Sequence, residues 1–296
     1  MPDRKFKRGK AFFTLCLLIL LSVLAYELVE LNRKTPLPPL PNPNGYDDFV
    51  KAQNLIVGTS ADFAWGSLED LRKHVAENAG VLKFVRIGLA KQCRIALSFT
   101  TNYLDLRSLG DIKRVTRLLE AEGRLAELER RTNDAARIYL VTIRYGMESC
   151  RGGVMIDHLV GIACETIGVN ALQRITASLD ATACRDLSKQ LQEIERRQES
   201  LADVMRNEAE WVRLTIPVWQ RVAATIPFAS LTRRAQKNFV TKCNQSELPF
   251  KRLIIDLAVR AYELDRGRHP RSLNELVPDY LDAVPVDPAT GMKLTN

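Results

Sequence analysis

Asp157 and His158 set a carboxylate beside an imidazole, the pairing from which general acid–base chemistry is built. Residues 154–179 read as one helix, and neighbours on a helix point to different faces, so these two do not form a dyad with each other. The other histidines, His74 and His269, are far from His158 in the chain. The cysteines include no C-x-x-C pair, and no zinc-ligand spacing occurs. A nucleophile–base pair and the Walker and Rossmann glycine loops are equally missing from the sequence. The reading is a non-enzymatic protein with no catalytic, cofactor-binding or metal residues assigned. A hydrolase centred on His158 and Asp157 is the enzymatic alternative.

What would position any site is set first by Ala11 to Tyr26, AFFTLCLLILLSVLAY, sixteen residues without a charge. Leu28 and Val29 extend it towards the roughly 17–25 residues that cross a bilayer. Five basic residues precede it and two, Arg33 and Lys34, follow, which predicts a cytoplasmic N-terminus and an exported remainder. A retained anchor over 11–29 is the main expectation; a signal peptide cleaved after Ala25 is the other. The implied location is a bacterial inner membrane, crossed once, with the main domain periplasmic.

Of the net charge of +8, half belongs to residues 1–34, so the exported part is only mildly basic. That balance and the topology argue against nucleic acid as a partner and leave room for an anionic envelope polymer. Export permits disulfides, and Cys150, Cys164 and Cys184 sit on or beside neighbouring predicted helices; either a bridge or buried free thiols fits.

Residues 36–43, PLPPLPNP, predict a stiff extended stalk within 30–45. Beyond it the period is helical throughout 46–250. Ser67 and Asp70 form a capping-box pattern, with His74 beside the apolar face that follows. A second helix is expected from Val81 to Leu97, and an antiparallel pair across a break at Asn133-Asp134. Gly161 and Gly168 mark the helix over 154–179, nearly apolar all round in its first half, as one closely approached at the centre of a bundle. Leu187, Leu191, Ile194, Gln198, Leu201 and Met205 make a heptad seam for intramolecular packing. Trp211, Pro217, Trp219 and Pro227 break the pattern; this apolar stretch covers a bundle end or rests on a bilayer interface. A last helix is expected over 253–264, then a capping box at Ser272 and Glu275 and a turn at Asp287-Pro288-Ala289-Thr290-Gly291.

The tail AVRAYELDRGRHPRSLNELVPDYLDAVPVDPATGMKL resembles the C-terminal region of type II secretion major pseudopilins. Gly267, Arg268, Pro270, Leu273, Leu276, Val277, Asp287, Pro288 and Gly291 carry the resemblance, and His269 stands where a tyrosine is usual. It covers about 40 residues, and the N-terminal glutamate of that family is missing. The layout as a whole resembles uncharacterised single-anchor bacterial helical proteins. The pseudopilin resemblance implies calcium in the C-terminal loops, with Asp279, Asp282 and Asp287 as oxygen ligands; Asp287 is equally accounted for as a turn former.

Together these readings predict a mainly α protein: a basic tail over 1–10, an anchor over 11–29, a proline-rich stalk over 30–45, a helical bundle over 46–250 and a helix–turn–extended tail over 251–296. The expected partners are the lipid bilayer and an envelope protein. The expected role is to present a binding or scaffold surface outside the cytoplasm, the alternative being an accessory part of an envelope secretion or pilus-like assembly.

Overall fold

The computed structural model describes residues 13–23, 25, 26, 29, 37–59, 67–97, 106–216 and 218–295, with no side chains at 106–108, 218, 219 and 221–232. Helix accounts for 74%, and no strand forms among the described residues. The helices are α1 (Phe13–Val23), α2 (Gly45–Leu55), α3 (Leu68–Glu77), α4 (Ala79–Leu89), α5 (Leu106–Leu128), α6 (Thr132–Glu148), α7 (Met155–Ile175), α8 (Ala181–Arg196), α9 (Leu201–Thr215) and α10 (Val218–Arg266). The expected mainly α fold is present.

The bundle is built around α6 and α7, which contribute to two cores. One gathers Phe49, Leu71, Val85, Val115 and Leu118 from α2 to α5 with Tyr145 of α6 and Cys164 of α7. The other joins Tyr139 and Ile143 of α6 and Leu172 of α7 to Leu187 and Leu191 of α8, Leu253 and Leu257 of α10, and Leu276 and Tyr280 of the tail. A helix serving two cores must be apolar on most sides. That explains why Met155–Ser178 is also long and apolar enough, by length and composition, to cross a membrane, although half of it is buried in the bundle. Glycine sets how closely α6 and α7 meet. A Cβ on Gly146 would fall 2.5 Å from the Glu165 backbone nitrogen, and one on Gly168 would fall 2.7 Å from Ile143 Cγ1.

Local signals behave as expected where few residues are involved. Ser67 and Asp70 close the capping box of α3, with Asp70 N to Ser67 Oγ at 3.2 Å and Ser67 N to Asp70 Oδ2 at 3.0 Å. Asn44, for which the sequence reading has no cap, caps α2 and also holds the segment after α4, donating to Arg94 O at 2.8 Å and accepting from Arg94 N at 3.0 Å.

Elsewhere the packing overrides the pattern. The helix expected to Leu97 stops at Leu89, because the chain turns to bury Cys93 and Ile95 and to donate from Ile95 N to Arg151 O at 2.8 Å. The break expected at Asn133-Asp134 falls earlier, at Arg130, whose φ of 61° ends the α5 run. The heptad seam is divided, since α8 ends at Arg196 and Ser200 caps α9. Leu187, Leu191 and Ile194 then enter one core while Leu201 and Met205 pack on Val204, Phe239 and Cys243. The expected helix over 253–264 is the end of α10, whose backbone continues through Pro227 and Pro249. The boundary expected at 250/251 lies inside that helix, where Phe250 and Leu253 share one core. Ser272 makes no side-chain cap; Glu275 instead accepts from Tyr262 Oη at 2.7 Å and Arg268 at 2.8 Å. The last turn forms as expected, with Asp287 Oδ1 accepting from Ala289 N at 2.7 Å and Val286 bridging Lys293.

Candidate functional site

Asp157 turns back onto the start of α7, where its Oδ2 accepts from Val154 N at 2.9 Å. A carboxylate there satisfies a free amide and meets the positive end of the helix dipole. His158 points elsewhere, as expected of its neighbour. Its Nδ1 lies 3.7 Å from Cys150 Sγ, and its ring meets the edge of Phe239. The Arg151–Val154 turn reverses the chain and brings residue 150 back beside 158, a pairing the sequence reading misses. Both groups are held neutral. Burial lowers the imidazole to about 4 and raises the thiol well above its ordinary value. The thiol donates to Met147 O at 3.1 Å.

This pair opens on a cavity of about 260 Å³ between the α6–α7 turn, the α8–α9 connection and α10. Glu165 forms part of its wall, only 8% exposed. Burial, and then the charge of Glu247, lifts the Glu165 carboxyl to about 8. Glu247 itself pairs with Lys251 at 2.7 Å. Cys243 and Ser246 of α10 and Gln198, Glu199 and Ser200 of the connection complete the polar lining.

The other thiols are distributed rather than paired. All six cysteines are free, with Cys164 in one core, Cys184 in the other and Cys150 at the cavity, so the bridge weighed for these three does not form. Among the described residues no group of three or more His, Cys, Asp or Glu is placed to hold a metal. His74 lies 3.8 Å from Glu77, and His269 lies 2.7 Å from Glu263. The calcium arrangement implied for Asp279, Asp282 and Asp287 is not assembled, because Asp282 pairs with Arg196 at 2.5 Å and Asp287 is taken up by its own turn. Trp211 is half-buried beside Met155, Leu159 and Phe239; Pro217 and the Trp219 side chain lie outside the described residues.

A second feature has no local signature in the sequence. A cleft of about 950 Å³ is lined by Arg86, Lys91, Arg94, Arg144, Arg151 and Arg197, with Glu148 as the one acidic residue on its wall among the described residues. Pro39 and Pro41 of the expected stalk form its edge. Four of the cations are ion-paired: Arg86 with Glu122, Lys91 with Asp48, Arg151 with Glu148 and Arg197 with Glu193. Arg94 and Arg144 form no ion pair among the described residues, although Arg94 lies in the field of Asp203; Arg144 donates to Leu89 O at 2.9 Å.

The chain matches no protein-family model, and no curated protein or solved structure is found similar to it.

Proposed function

We propose that this protein is a membrane-tethered helical module that acts by binding, and that its basic cleft receives a polyanionic polymer of the bacterial envelope. Residues 11–29 hold it in the inner membrane, 1–10 lie in the cytoplasm, and 30–45 lead to a bundle displayed in the periplasm. The side chains of α1 support the tether: Phe13 is 70% exposed, Leu18 58% and Leu20 60%, a run of apolar surface that lipid would cover. The observation that carries the binding reading is the convergence of six cations on one cleft, two of them in no ion pair among the described residues. Such a concentration raises the local potential and favours an extended anion over a small one. The neutral Cys150–His158 pair supports binding over thiol catalysis, since the nucleophile in that chemistry is the thiolate.

A periplasm-active reporter fused after Asn296, with the mature N-terminus read in the same strain, tests the tether. An active reporter with residues 1–30 retained is expected; a silent one overturns the topology. Dextran sulfate retention by the full chain tests the cleft. Arg94→Glu with Arg144→Glu is expected to weaken retention at least ten-fold, and unchanged retention removes the cleft assignment. A secretion or pilus-like complex recovered in mild detergent would favour the assembly alternative.

A further inference from the structure

The cavity beside α7 is distinct from the cleft that carries that reading, sharing only Arg151 with its lining, and it holds an unusual group. Glu165 is more than nine-tenths buried, lines the cavity, and makes no hydrogen bond or ion pair among the described residues. The carboxyl is not among the fully sealed groups that lack a partner, so it faces the cavity. It is also held in place, because the Glu165 backbone is where Gly146 of α6 makes its closest approach.

The charges facing Glu165 leave the site acidic. On the α6–α7 side, His158 and Cys150 are neutral, and Arg151 is committed to Glu148 at 2.7 and 2.9 Å and to Arg197 O at 2.8 Å. From the α8–α9 connection, Glu199 accepts from Gly152 N at 2.8 Å, and its charge acts on Arg151 without an ion pair among the described residues. From α10 come Cys243, whose thiol burial raises to about 11, and Glu247, already paired with Lys251. Met147, Ile162 and Leu201 supply apolar wall.

We propose that this cavity binds a small organic ammonium ion with an apolar tail, its charge met by Glu165 and its tail by Met147, Ile162 and Leu201. At about 30 Å³ per water-sized group, the volume of about 260 Å³ admits a ligand of roughly nine non-hydrogen atoms. Without the ligand, Glu165 keeps its proton near neutral pH; arrival of the ammonium ion makes the carboxylate the favoured form. The carboxyl O–H bond breaks, the proton passes to buffer, and an ammonium–carboxylate pair replaces it.

The test is calorimetry on the full chain in mild detergent with 2-phenylethylammonium and its neutral isostere 2-phenylethanol. Titrations at pH 7 in two buffers of different ionisation enthalpy count the protons released. The ammonium ion is expected to bind at least ten-fold more tightly than the alcohol and to release close to one proton. Its affinity is expected to fall about ten-fold per pH unit below about 8. Glu165→Gln should abolish both the preference and the proton release, whereas Glu247→Gln should retain the release. Equal binding of the alcohol, ammonium binding without proton release, or no ammonium binding at millimolar concentration would each overturn the proposal. The wild-type comparison decides it even if a variant fails to fold.

Discussion

At the residue scale, Glu165 and His158 are two titratable groups that burial drives in opposite senses. Glu165 ionises near its ordinary 4.5 in the unfolded chain and near 8 when folded. Between those values the folded state holds the extra proton, so stability falls as pH rises and levels off above about 8. His158 moves from 6.5 to about 4 on folding, so between those values the unfolded state holds the extra proton and stability rises with pH. The two effects oppose each other up to pH 6.5, and the Glu165 loss stands alone from there to 8. Denaturant titrations should show the wild-type chain losing about 2 kcal/mol over that interval. The Glu165→Gln variant should lose little, and an equal decline in both proteins would refute the assignment.

At the scale of elements, the contact between α6 and α7 is the one on which both cores depend. Gly146 is placed against α7 backbone, which cannot move as a side chain would. Gly146→Ala should therefore cost about 1–3 kcal/mol by overpacking. Gly110 lies in α5 with nothing within 4 Å of an added Cβ, so Gly110→Ala should stabilise by about 0.5–1 kcal/mol through helix propensity. Thermal unfolding of the two variants should move in opposite directions, and parallel shifts would show that the contact is looser than described. The Gly161 and Gly168 spacing shows this approach in the sequence, because a small residue once every two turns keeps one strip of a helix low. The partner surface was harder to read: Gly146 becomes informative only once α6 and α7 are known to be antiparallel.

For the molecule as a whole, the tail is part of the bundle. Tyr280 donates to Asp265 at 2.9 Å, Gln192 accepts from Asp282 N at 2.8 Å, and Leu273, Leu276 and Leu281 complete the core of α8 and α10. Truncation after Arg266 should uncover that apolar face and remove cooperative unfolding as followed by circular dichroism. A truncated chain that still melts cooperatively at the wild-type temperature would show the tail to be an appendage. The pseudopilin-like residues Leu273, Leu276 and Gly291 thus have structural work within this chain, two in the core and one at the positive φ of the final turn. Their presence needs no pilus-like partner.

Much of the architecture was legible because its signals act over one or two turns: the helical period, the Ser67–Asp70 box and the Asp287 turn join residues close in the chain. The same short range explains the misreadings. A heptad seam through Leu187 and Met205 continues across Ser200 on paper, but burial against two different cores favours a break there. Pro227 breaks the pattern in the sequence, yet α10 runs on through it, its later half fixed by the core that Phe250 and Leu253 enter. The cavity and the cleft lay beyond this kind of reading. Cys150 meets His158 through a chain reversal, Glu165 meets the field of Glu247 across the bundle, and the cleft collects cations from Arg86 to Arg197. Periodicity and capping are local free energies that each segment carries with it; burial and charge convergence arise only when distant segments share one volume.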